Sequence, residues 1–368
     1  MEGNPFQFAT PLAHPDELVG RDDDLGRLLS LATSGTYTLL EAPRRYGKTS
    51  LLKAAAERWR EAGGLAVWVD LSGVLTAAEA ARRFEQALSH TDHGRLQETL
   101  TDLLRSVRLR AGPVEIGGLP ARPRPGDDER LHALLEVAAE AARSAAQRSL
   151  VCLDEFQDVL AVPGLDGTLR SHLQHQADDV SYVFSGSEPS LLRELFSERG
   201  RPLFAQAKPL RLARIDLALL AEYVVGRFRA EGVEASEAAE WLTTRAAGHP
   251  QRTILLAWHL WDRADGLRTL GVGDAEDALG AALLDAEPQL DAVWRALAQN
   301  ERRVAVAVAL GVAPMSREAG ARTGVASASA AQRALQRLVE KGVVERAGSD
   351  PRLTDPLLAL HLAARHEG

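Results

Sequence analysis

Short apolar runs alternate with longer segments of helical periodicity through residues 1–216. This alternation is typical of a parallel β-sheet covered by α-helices. Continuous apolar or β-branched runs are expected of strands that are buried on both faces. They predict five strands, at residues 36–40, 65–71, 150–153, 181–185 and 210–215. We therefore predict an α/β domain over residues 1–216.

Residues 108–126, with the sequence RLRAGPVEIGGLPARPRPG, interrupt this pattern. Alternation around Gly112 and Pro113 predicts a hairpin, and the Pro/Arg-rich stretch after it is typical of a flexible loop. A helix is predicted to begin near Asp127. Because the segment carries no catalytic signature, we interpret it as an insertion.

Beyond residue 216 the strand pattern stops and helical periodicity takes over to about residue 284. We assign residues 217–288 to a helical lid domain. In residues 289–368, helices are predicted at 292–310, 316–323 and 327–341, followed by strands at 343–346 and 352–354 around a GSDP turn. Three helices and a short hairpin in this order are typical of a winged-helix domain.

Charge and composition exclude several classes of protein. The formal net charge of -8 opposes attraction of the whole surface to nucleic acid or acidic membranes, so a nucleic-acid contact requires a local basic patch. No apolar run approaches the roughly 18 residues of a membrane span, and the first residues lack the pattern of a signal peptide. We expect a cytoplasmic protein. Its one cysteine, Cys152, excludes an intrachain disulfide and is expected to be a small buried hydrophobe.

A phosphate-binding loop is predicted where the first strand runs into EAPRRYGKTS and then into a helix. A small residue at Ala42 and a glycine at Gly47 let backbone N–H groups surround a polyphosphate at the helix N-terminus. Lys48 adds a positive charge for the β and γ phosphates, and Thr49 a hydroxyl for Mg²⁺. Ala42 replaces the first glycine of GxxxxGK[ST]. The predicted ATP-binding residues of the loop are Ala42, Pro43, Arg44, Arg45, Tyr46, Gly47, Lys48, Thr49 and Ser50.

The segment SLVCLDEFQDVL, an apolar strand ending in two carboxylates, has the form of a Walker B motif. Asp154 at the strand end can hold Mg²⁺, and Glu155 can accept a proton from an attacking water. The structural alternative is an ordinary strand that ends in a solvated acidic turn, with GKT as a surface loop. The presence of both motifs in order favours the functional interpretation.

Six segments in order, namely ELVGRDDDLGRLL, APRRYGKTSLL, VCLDEFQDVL, SYVFSGSEPSLLRELF, AGHPQRTILLAWHL and RLTDPLLALHL, carry a family resemblance. They resemble the AAA+-like and STAND-type ATPases of the archaeal-ATPase group, with origin-recognition-type initiators as more distant relatives. The resemblance spans almost the whole chain. It implies an additional-strand P-loop sheet of five parallel strands, followed by a helical lid and a winged helix. The strand ending at SGS would then lie between the phosphate-loop strand and the Walker B strand.

The same resemblance implies further site residues. Ser185 or Ser187 would be sensor 1 and face the γ-phosphate. The GxP motif would bring the lid onto the nucleotide, and Arg252 would be sensor 2. The VGR segment would line the adenine pocket. These motifs comprise Gly248, His249 and Pro250, and Val19, Gly20 and Arg21. Their structural alternatives are a tight turn at SGS, a helix break at AGHP and an ordinary helix lead-in at VGR.

One position departs from the family pattern. Relatives often carry a PLxGR segment whose arginine serves a neighbouring subunit, whereas this chain reads RPLFAQA, with Gln206 at that place. An arginine finger can contribute several orders of magnitude to the rate. We therefore expect slow hydrolysis unless Arg199, Arg201 or a partner protein supplies the charge.

The third helix of the predicted winged helix carries Arg333, Arg337 and Lys341 at four-residue spacing, which places them on one face. This stripe could contact double-stranded DNA, or it could be a solvated face of a module that binds a protein partner or a second copy of the chain. Three functions stay open: an ATPase whose hydrolysis drives or times assembly on DNA, a non-hydrolysing nucleotide-gated interaction protein, and a transcription regulator with a P-loop sensor.

Overall fold

The structure, a computed structural model, describes residues 3–7, 17–90, 97–111, 115–116, 119–120, 127–264, 268–347 and 350–367. The chain divides into two compact units. We call residues 12–42 and 48–212 the sheet unit, and residues 1–11, 43–47 and 213–368 the helical unit. No helix in the described ranges is long and apolar enough to cross a membrane.

The sheet unit is an α/β unit. Its strands are β1 (Thr38–Glu41), β2 (Ala66–Asp70), β3 (Glu115–Ile116), β4 (Leu119–Pro120), β5 (Ser149–Asp154), β6 (Val180–Ser185) and β7 (Lys208–Arg211). Its α-helices are α1 (Asp22–Thr33), α2 (Lys48–Glu61), α3 (Ala77–His90), α4 (Gln97–Ala111), α5 (Asp127–Ala145), α6 (Leu165–His175) and α7 (Pro189–Ser197). A 3-10 helix, Phe156–Ala161, follows β5.

Five parallel strands form the main sheet in the order β2-β5-β6-β1-β7. This confirms both the predicted fold class and the place of β6, the strand ending at SGS, between β1 and β5. Every residue of β5 and β6 is buried, as expected of central strands covered on both faces. Cys152 in β5 is fully buried, and burial raises the pKa of its thiol to about 12.

The hairpin predicted in the insertion is the antiparallel pair β3 and β4. It lies further along the chain than expected, because residues 108–111 continue helix α4. The predicted centre of the hairpin, Gly112 and Pro113, and the loop over residues 121–126 lie outside the described residues.

The helical unit contains two sets of elements. The first comprises α8 (Leu217–Ala230), α9 (Ser236–Ala246), α10 (Pro250–Arg263) and α11 (Val272–Ala296). The second comprises α12 (Gln299–Ala309), α13 (Arg317–Thr323), α14 (Ala328–Glu340), β8 (Val344–Ala347), β9 (Asp350–Leu353) and α15 (Pro356–Glu367). Strands β8 and β9 pair antiparallel. The α12-α13-α14-β8-β9 order confirms the winged helix.

Two element boundaries differ from the predictions for physical reasons. The helix predicted over residues 292–310 is two helices, because Glu301 accepts the backbone N–H of Ala298 at 2.8 Å and so starts α12 anew. Strand β7 ends at Arg211 rather than at residue 215, since the N–H of Ile215 donates to the carbonyl of Gly248 at 2.9 Å. A domain boundary is affected as well: helix α11 runs without a break through residue 288, the predicted end of the lid domain.

Residues near the N-terminus pack within the helical unit. Phe6 is 1% exposed, and its ring contacts those of Tyr223, Phe228 and Trp261 at centroid distances of 6.2, 5.6 and 5.9 Å. Asn4 donates to the carbonyl of Trp258 at 3.0 Å. Burial of one phenylalanine contributes roughly 1.5–3 kcal/mol, which favours the packing of this short segment on α8 and α10.

Candidate functional site

The predicted phosphate loop connects β1 to α2, which begins at Lys48. Gly47 has φ +86°, and Arg45 has φ +67°. Nothing stands within 4 Å of a Cβ built on Gly47, so its backbone conformation is what requires glycine there. The loop thus enters the helix by a turn that favours glycine at the predicted position.

Lys48 is buried in the first turn of α2. Its Nζ donates to the carbonyl of Ala42 at 2.7 Å, which folds the ammonium back over the loop. A lysine is rarely buried without such a partner, because an unpaired buried charge is costly. Ser50, also predicted as a loop residue, is buried in the same turn.

Thr49 and Asp154, predicted as the magnesium ligands, lie together in the sheet unit. The Thr49 hydroxyl donates to Asp154 Oδ2 at 2.7 Å, and Asp154, the last residue of β5, is 3% exposed. A hydroxyl and a carboxylate are the hard oxygen ligands that Mg²⁺ prefers, and Mg²⁺ is usually bound by one or two protein groups together with phosphates and water. These two residues therefore fit a magnesium ion.

Glu155, the predicted general base, directly follows Asp154. Its backbone is left-handed, with φ 48° and ψ 42°. Non-glycine residues rarely adopt this conformation, and those that do are concentrated at functional sites. Its Oε2 accepts the backbone N–H of Ser187 at 3.0 Å, so the structure brings together the predicted base and a predicted sensor 1 residue. The Ser185 hydroxyl is fully buried and has no hydrogen-bond partner among the described residues.

The VGR segment precedes α1 in the sheet unit. Arg21 is 4% exposed and donates from Nη1 to Asp24 at 2.9 Å. Val19 and Gly20 are half-buried. Their role at the adenine ring stays a prediction.

In the helical unit, residues 43–47 of the loop contact the GxP motif. The ring centroid of Tyr46 lies 4.9 Å from that of His249, and the Tyr46 hydroxyl donates to Glu345 of β8 at 2.8 Å. Arg214 connects the same groups: its Nε donates to Glu345 at 2.7 Å and lies 3.2 Å from the Tyr46 hydroxyl. Its other nitrogens donate to the carbonyls of Ala247, Leu353 and Thr354. The loop is thereby tied to the wing of the winged helix.

The GxP motif also begins helix α10. Gly248 has φ +75°, and a Cβ there would lie 2.4 Å from the carbonyl oxygen of Ile215, so only glycine fits. His249 Nδ1 accepts the N–H of Arg252 at 3.3 Å as the N-cap, and Pro250 follows in the first turn. Burial lowers the pKa of His249 to about 3, so the imidazole is neutral.

Arg252, the predicted sensor 2, is 2% exposed in the helical unit. Its Nε donates to both carboxylate oxygens of Asp355 at 3.0 and 3.1 Å, and its Nη2 donates to Oδ2. Burial alone would raise the pKa of Asp355, but the hydrogen bonds and charge of Arg252 lower it below its ordinary value. Asp355 belongs to the RLTDPLLAL segment, so the guanidinium is engaged by the winged-helix region. Its role as sensor 2 stays a prediction.

Helix α14 divides into an apolar and a basic face. Ala331, Ala334, Leu335 and Leu338 are buried. Arg333 and Arg337 are exposed on the other face, as the spacing predicted. Lys341 differs, because its ammonium donates at 2.7 Å to Glu301, a residue that is 3% exposed. Lys341 is exposed as well, so all three predicted basic residues lie at the surface, and in the described part of the chain only Lys341 is paired with a carboxylate.

Two residues of these sites had no signal in the sequence. Gln157 donates to Glu155, the predicted base, and Arg214 makes five hydrogen bonds, but neither residue lies at a position of a motif used in the sequence analysis. Only the proximity of Gln157 to Glu155 in DEFQD could have drawn attention to it.

Comparison with known proteins supports the two predicted folds. A family model described as the LexA DNA binding domain matches residues 306–353, which comprise the last four residues of α12 and the elements from α13 to β9. No curated protein sequence matches significantly.

Solved structures match nearly the whole chain. A Walker-type ATPase of Pyrococcus abyssi has a TM-score of 0.69 at 16% identity, and the match covers 96% of this chain and 98% of that one. The ORC2 protein of Aeropyrum pernix, in ADPNP-ADP complexes, has a TM-score of 0.59 at 18% identity over 96% and 94%. Cdc6p of Pyrobaculum aerophilum has a TM-score of 0.50 at 15% identity over 98% and 97%. At these identities the likeness establishes the fold alone: a P-loop ATPase sheet, a helical region and a winged helix.

Proposed function

We propose that this protein is a Mg²⁺-dependent ATPase of the AAA+/STAND type that acts as a nucleotide-driven switch and binds DNA through its winged helix. The observation that carries the proposal is the placement of Thr49, Asp154 and Glu155 in the sheet unit. Thr49 and Asp154 share a hydrogen bond at one end of β5, and the carboxylate of Glu155 is held separately by Ser187. This arrangement supports a metal site on Thr49 and Asp154 and a separate proton acceptor at Glu155.

The residues take distinct roles in this proposal. Backbone N–H groups of residues 42–49 and the ammonium of Lys48 bind the phosphates, while Val19, Gly20 and Arg21 contact the base. Mg²⁺ on Thr49 and Asp154 would neutralise phosphate charge. Glu155 accepts the proton of the attacking water, and Ser185, Ser187 and Arg252 respond to the γ-phosphate.

The DNA-binding part of the proposal rests on the winged helix. Its match to the LexA DNA binding domain and the exposed Arg333 and Arg337 support a duplex contact. The bonds of Tyr46 and Arg214 to Glu345 give the phosphate loop a direct contact with the wing. We further propose that the protein works in the cytoplasm.

A second candidate is a protein that binds ATP and never hydrolyses it. Gln206 favours this alternative, because it stands where relatives carry an arginine, and its Nε2 points to the carbonyl of Phe204 at 3.4 Å. Such a protein would bind nucleotide and use the bound state to gate an interaction.

The test compares ATP turnover and nucleotide-dependent thermal shifts of the wild type, Lys48→Ala and Glu155→Gln, with and without duplex DNA. We expect Lys48→Ala to lose binding. Glu155→Gln should keep the thermal shift, about 2.7 kcal/mol of stabilisation at a hundredfold excess over Kd, while turnover falls 10²- to 10⁴-fold. Exposed Glu129→Gln is the matched control. Normal turnover by Glu155→Gln would contradict the base assignment, and binding without turnover in the wild type would favour the second candidate.

A further inference from the structure

Gln157 lies in the 3-10 helix that follows Glu155 and is 3% exposed. Its Nε2 donates to Glu155 Oε2 at 2.7 Å and to Asp158 Oδ1 at 3.2 Å. Both protons of the amide nitrogen are therefore directed at carboxylates. A buried glutamine with this arrangement has its orientation fixed, because a flipped amide would place its oxygen against two acceptors.

The contact from Gln157 is the second that Glu155 Oε2 receives, since the N–H of Ser187 donates to the same oxygen at 3.0 Å. Among the described residues, Oε1 of Glu155 accepts no hydrogen bond. One carboxylate oxygen is thus anchored by two donors, and the other keeps its lone pairs for an incoming proton. Fixing a reacting group in this way is a recognised source of rate enhancement.

The other end of the Gln157 amide is held by packing. Its Oε1 is buried and has no hydrogen-bond partner among the described residues, which is unfavourable for a polar group. A Cβ built on Gly186 would lie 2.0 Å from this oxygen. The glycine of the SGS segment therefore makes room for the amide, and the unsatisfied oxygen indicates that the orientation is kept for another reason.

The network extends to a third segment. Asp158 Oδ2 accepts the backbone N–H of Gly73, in the turn after β2, at 2.6 Å. Gln157 is consequently fixed from β2 through Asp158, from β6 through Gly186, and at Glu155 itself. Such support from several rigid elements is what a positioned catalytic group requires.

We propose that Gln157 is the positioning residue of ATP hydrolysis: it anchors Oε2 of Glu155 so that Oε1 faces the attacking water. This inference rests on the proposed ATPase function. It assigns a role to the side chain two residues beyond the Walker B pair, and it gives the glycine of SGS a steric function.

The experiment measures kcat, KM and the Kd for ATP of the full chain with three variants. Gln157→Leu removes the donor, and Gly186→Ala displaces the amide. We expect both to lower kcat by roughly 10- to 100-fold, as for a misplacement of about 1 Å, with Kd within twofold of wild type. Gln157→Glu adds a carboxylate beside Glu155, which disfavours ionisation of the pair, so the acid limb of the pH–kcat profile should move to higher pH.

Matched controls come from helix α6 of the same unit. Gln174→Leu changes an exposed glutamine, and Gly167→Ala changes a glycine with nothing within 4 Å of a built Cβ. Both should retain wild-type kcat and pH profile. Should Gln157→Leu fail to fold, kcat and the Kd for ATP of Gly186→Ala decide the question.

The outcomes separate this inference from the proposed function. If Gln157→Leu and Gly186→Ala keep the kcat of the wild type while Glu155→Gln loses turnover, the role of Gln157 is overturned. The ATPase proposal then stands. Equal losses in kcat and ATP binding would also overturn the role of Gln157, because they indicate a merely structural role. Absence of turnover in the wild type, or full turnover in Glu155→Gln, would remove the ATPase proposal and this inference with it.

Discussion

The ion pair between Arg252 and Asp355 offers a sharp test of what holds the helical unit together. Their side chains are 3% and 26% exposed, and the guanidinium contacts both carboxylate oxygens. We consider Asp355→Asn, which removes the charge. Asparagine can still accept the backbone N–H of Leu357, as Asp355 does at 3.0 Å, and so retains the N-cap of α15.

The expected loss follows from burial. Removing one partner of a buried ion pair destabilises by about 3–5 kcal/mol, because the remaining charge is left buried and uncompensated. Asparagine keeps one hydrogen bond to Arg252, so we expect about 3 kcal/mol. With an m-value of about 3 kcal/mol per M, this moves the urea midpoint down by about 1 M. The double variant Asp355→Asn with Arg252→Met keeps neither charge of the pair. We expect its loss of stability to be at least about 1 kcal/mol smaller than the sum of the losses of the two single variants.

Urea unfolding followed by tryptophan fluorescence suits this measurement. Four of the six tryptophans lie in the helical unit, namely Trp241, Trp258, Trp261 and Trp294. The matched control is Glu318→Gln, which removes an exposed ion pair with Arg322 and should cost at most about 0.5 kcal/mol. If Asp355→Asn cost no more than this control, or if the double variant were additive, the reasoning would be refuted.

The difference in stability between wild type and Asp355→Asn should depend on pH, and the pKa of Asp355 gives the direction. Arg252 lowers the pKa of Asp355 in the folded state below its ordinary value. A lowered carboxyl pKa contributes stability that is present above the unfolded pKa of about 3.9 and is lost as pH falls through the folded value. The gap between wild type and Asp355→Asn should therefore be constant near neutral pH and close below about pH 4.

Two further predictions concern His249 and the basic stripe. Burial lowers the pKa of His249 to about 3, and the charges of Arg252 and Arg214 act in the same direction, whereas Asp355 opposes them. Below about pH 6.5 the unfolded chain therefore binds a proton that the folded chain does not bind. The free energy of unfolding should fall by at most about 1.4 kcal/mol per pH unit down to pH 3. His249→Asn keeps an N-cap but does not titrate, so its stability should fall less steeply over pH 6.5–4; an unchanged slope would contradict the assignment. For the stripe, replacing Arg333 and Arg337 by alanine should reduce the slope of log K against log salt by about 1.8 in duplex binding, and an unaltered slope would exclude these contacts.

Much of the sheet unit could be predicted because its signals are local. Buried parallel strands are continuously apolar, and a phosphate loop needs glycine and lysine at fixed places between a strand and a helix. Lys48, Thr49 and Asp154 were predicted in this way, and the structure places the Thr49 hydroxyl 2.7 Å from Asp154. The order of the strands came from the resemblance instead, since periodicity does not say which strands are neighbours.

The parts that were missed depend on contacts between distant residues. Ile215 looks like the end of a strand, but its N–H donates to Gly248, thirty-three residues away, and this ends β7 early. Lys341 has the spacing of a DNA contact and is exposed, and only the fold shows that its ammonium also pairs with Glu301, forty residues away. Gln157 is an ordinary polar residue in sequence, and only the fold places Gly186 against its amide.

A fast motor and a slow switch differ in how well the transition state is stabilised, and this chain carries Gln206 where relatives often carry an arginine. In the proposed mechanism Glu155 is the base, and its Oε2 accepts hydrogen bonds from Ser187 and Gln157. Stabilisation of charge in the transition state is a separate requirement that an arginine usually meets. Of the two nearby arginines, Arg201 is engaged by Glu194 and lies 3.9 Å from Asp166, whereas Arg199 is exposed. Because Gln206 replaces the expected arginine, we propose a slow ATPase whose turnover rises when Arg199, a second subunit or another protein supplies the positive charge.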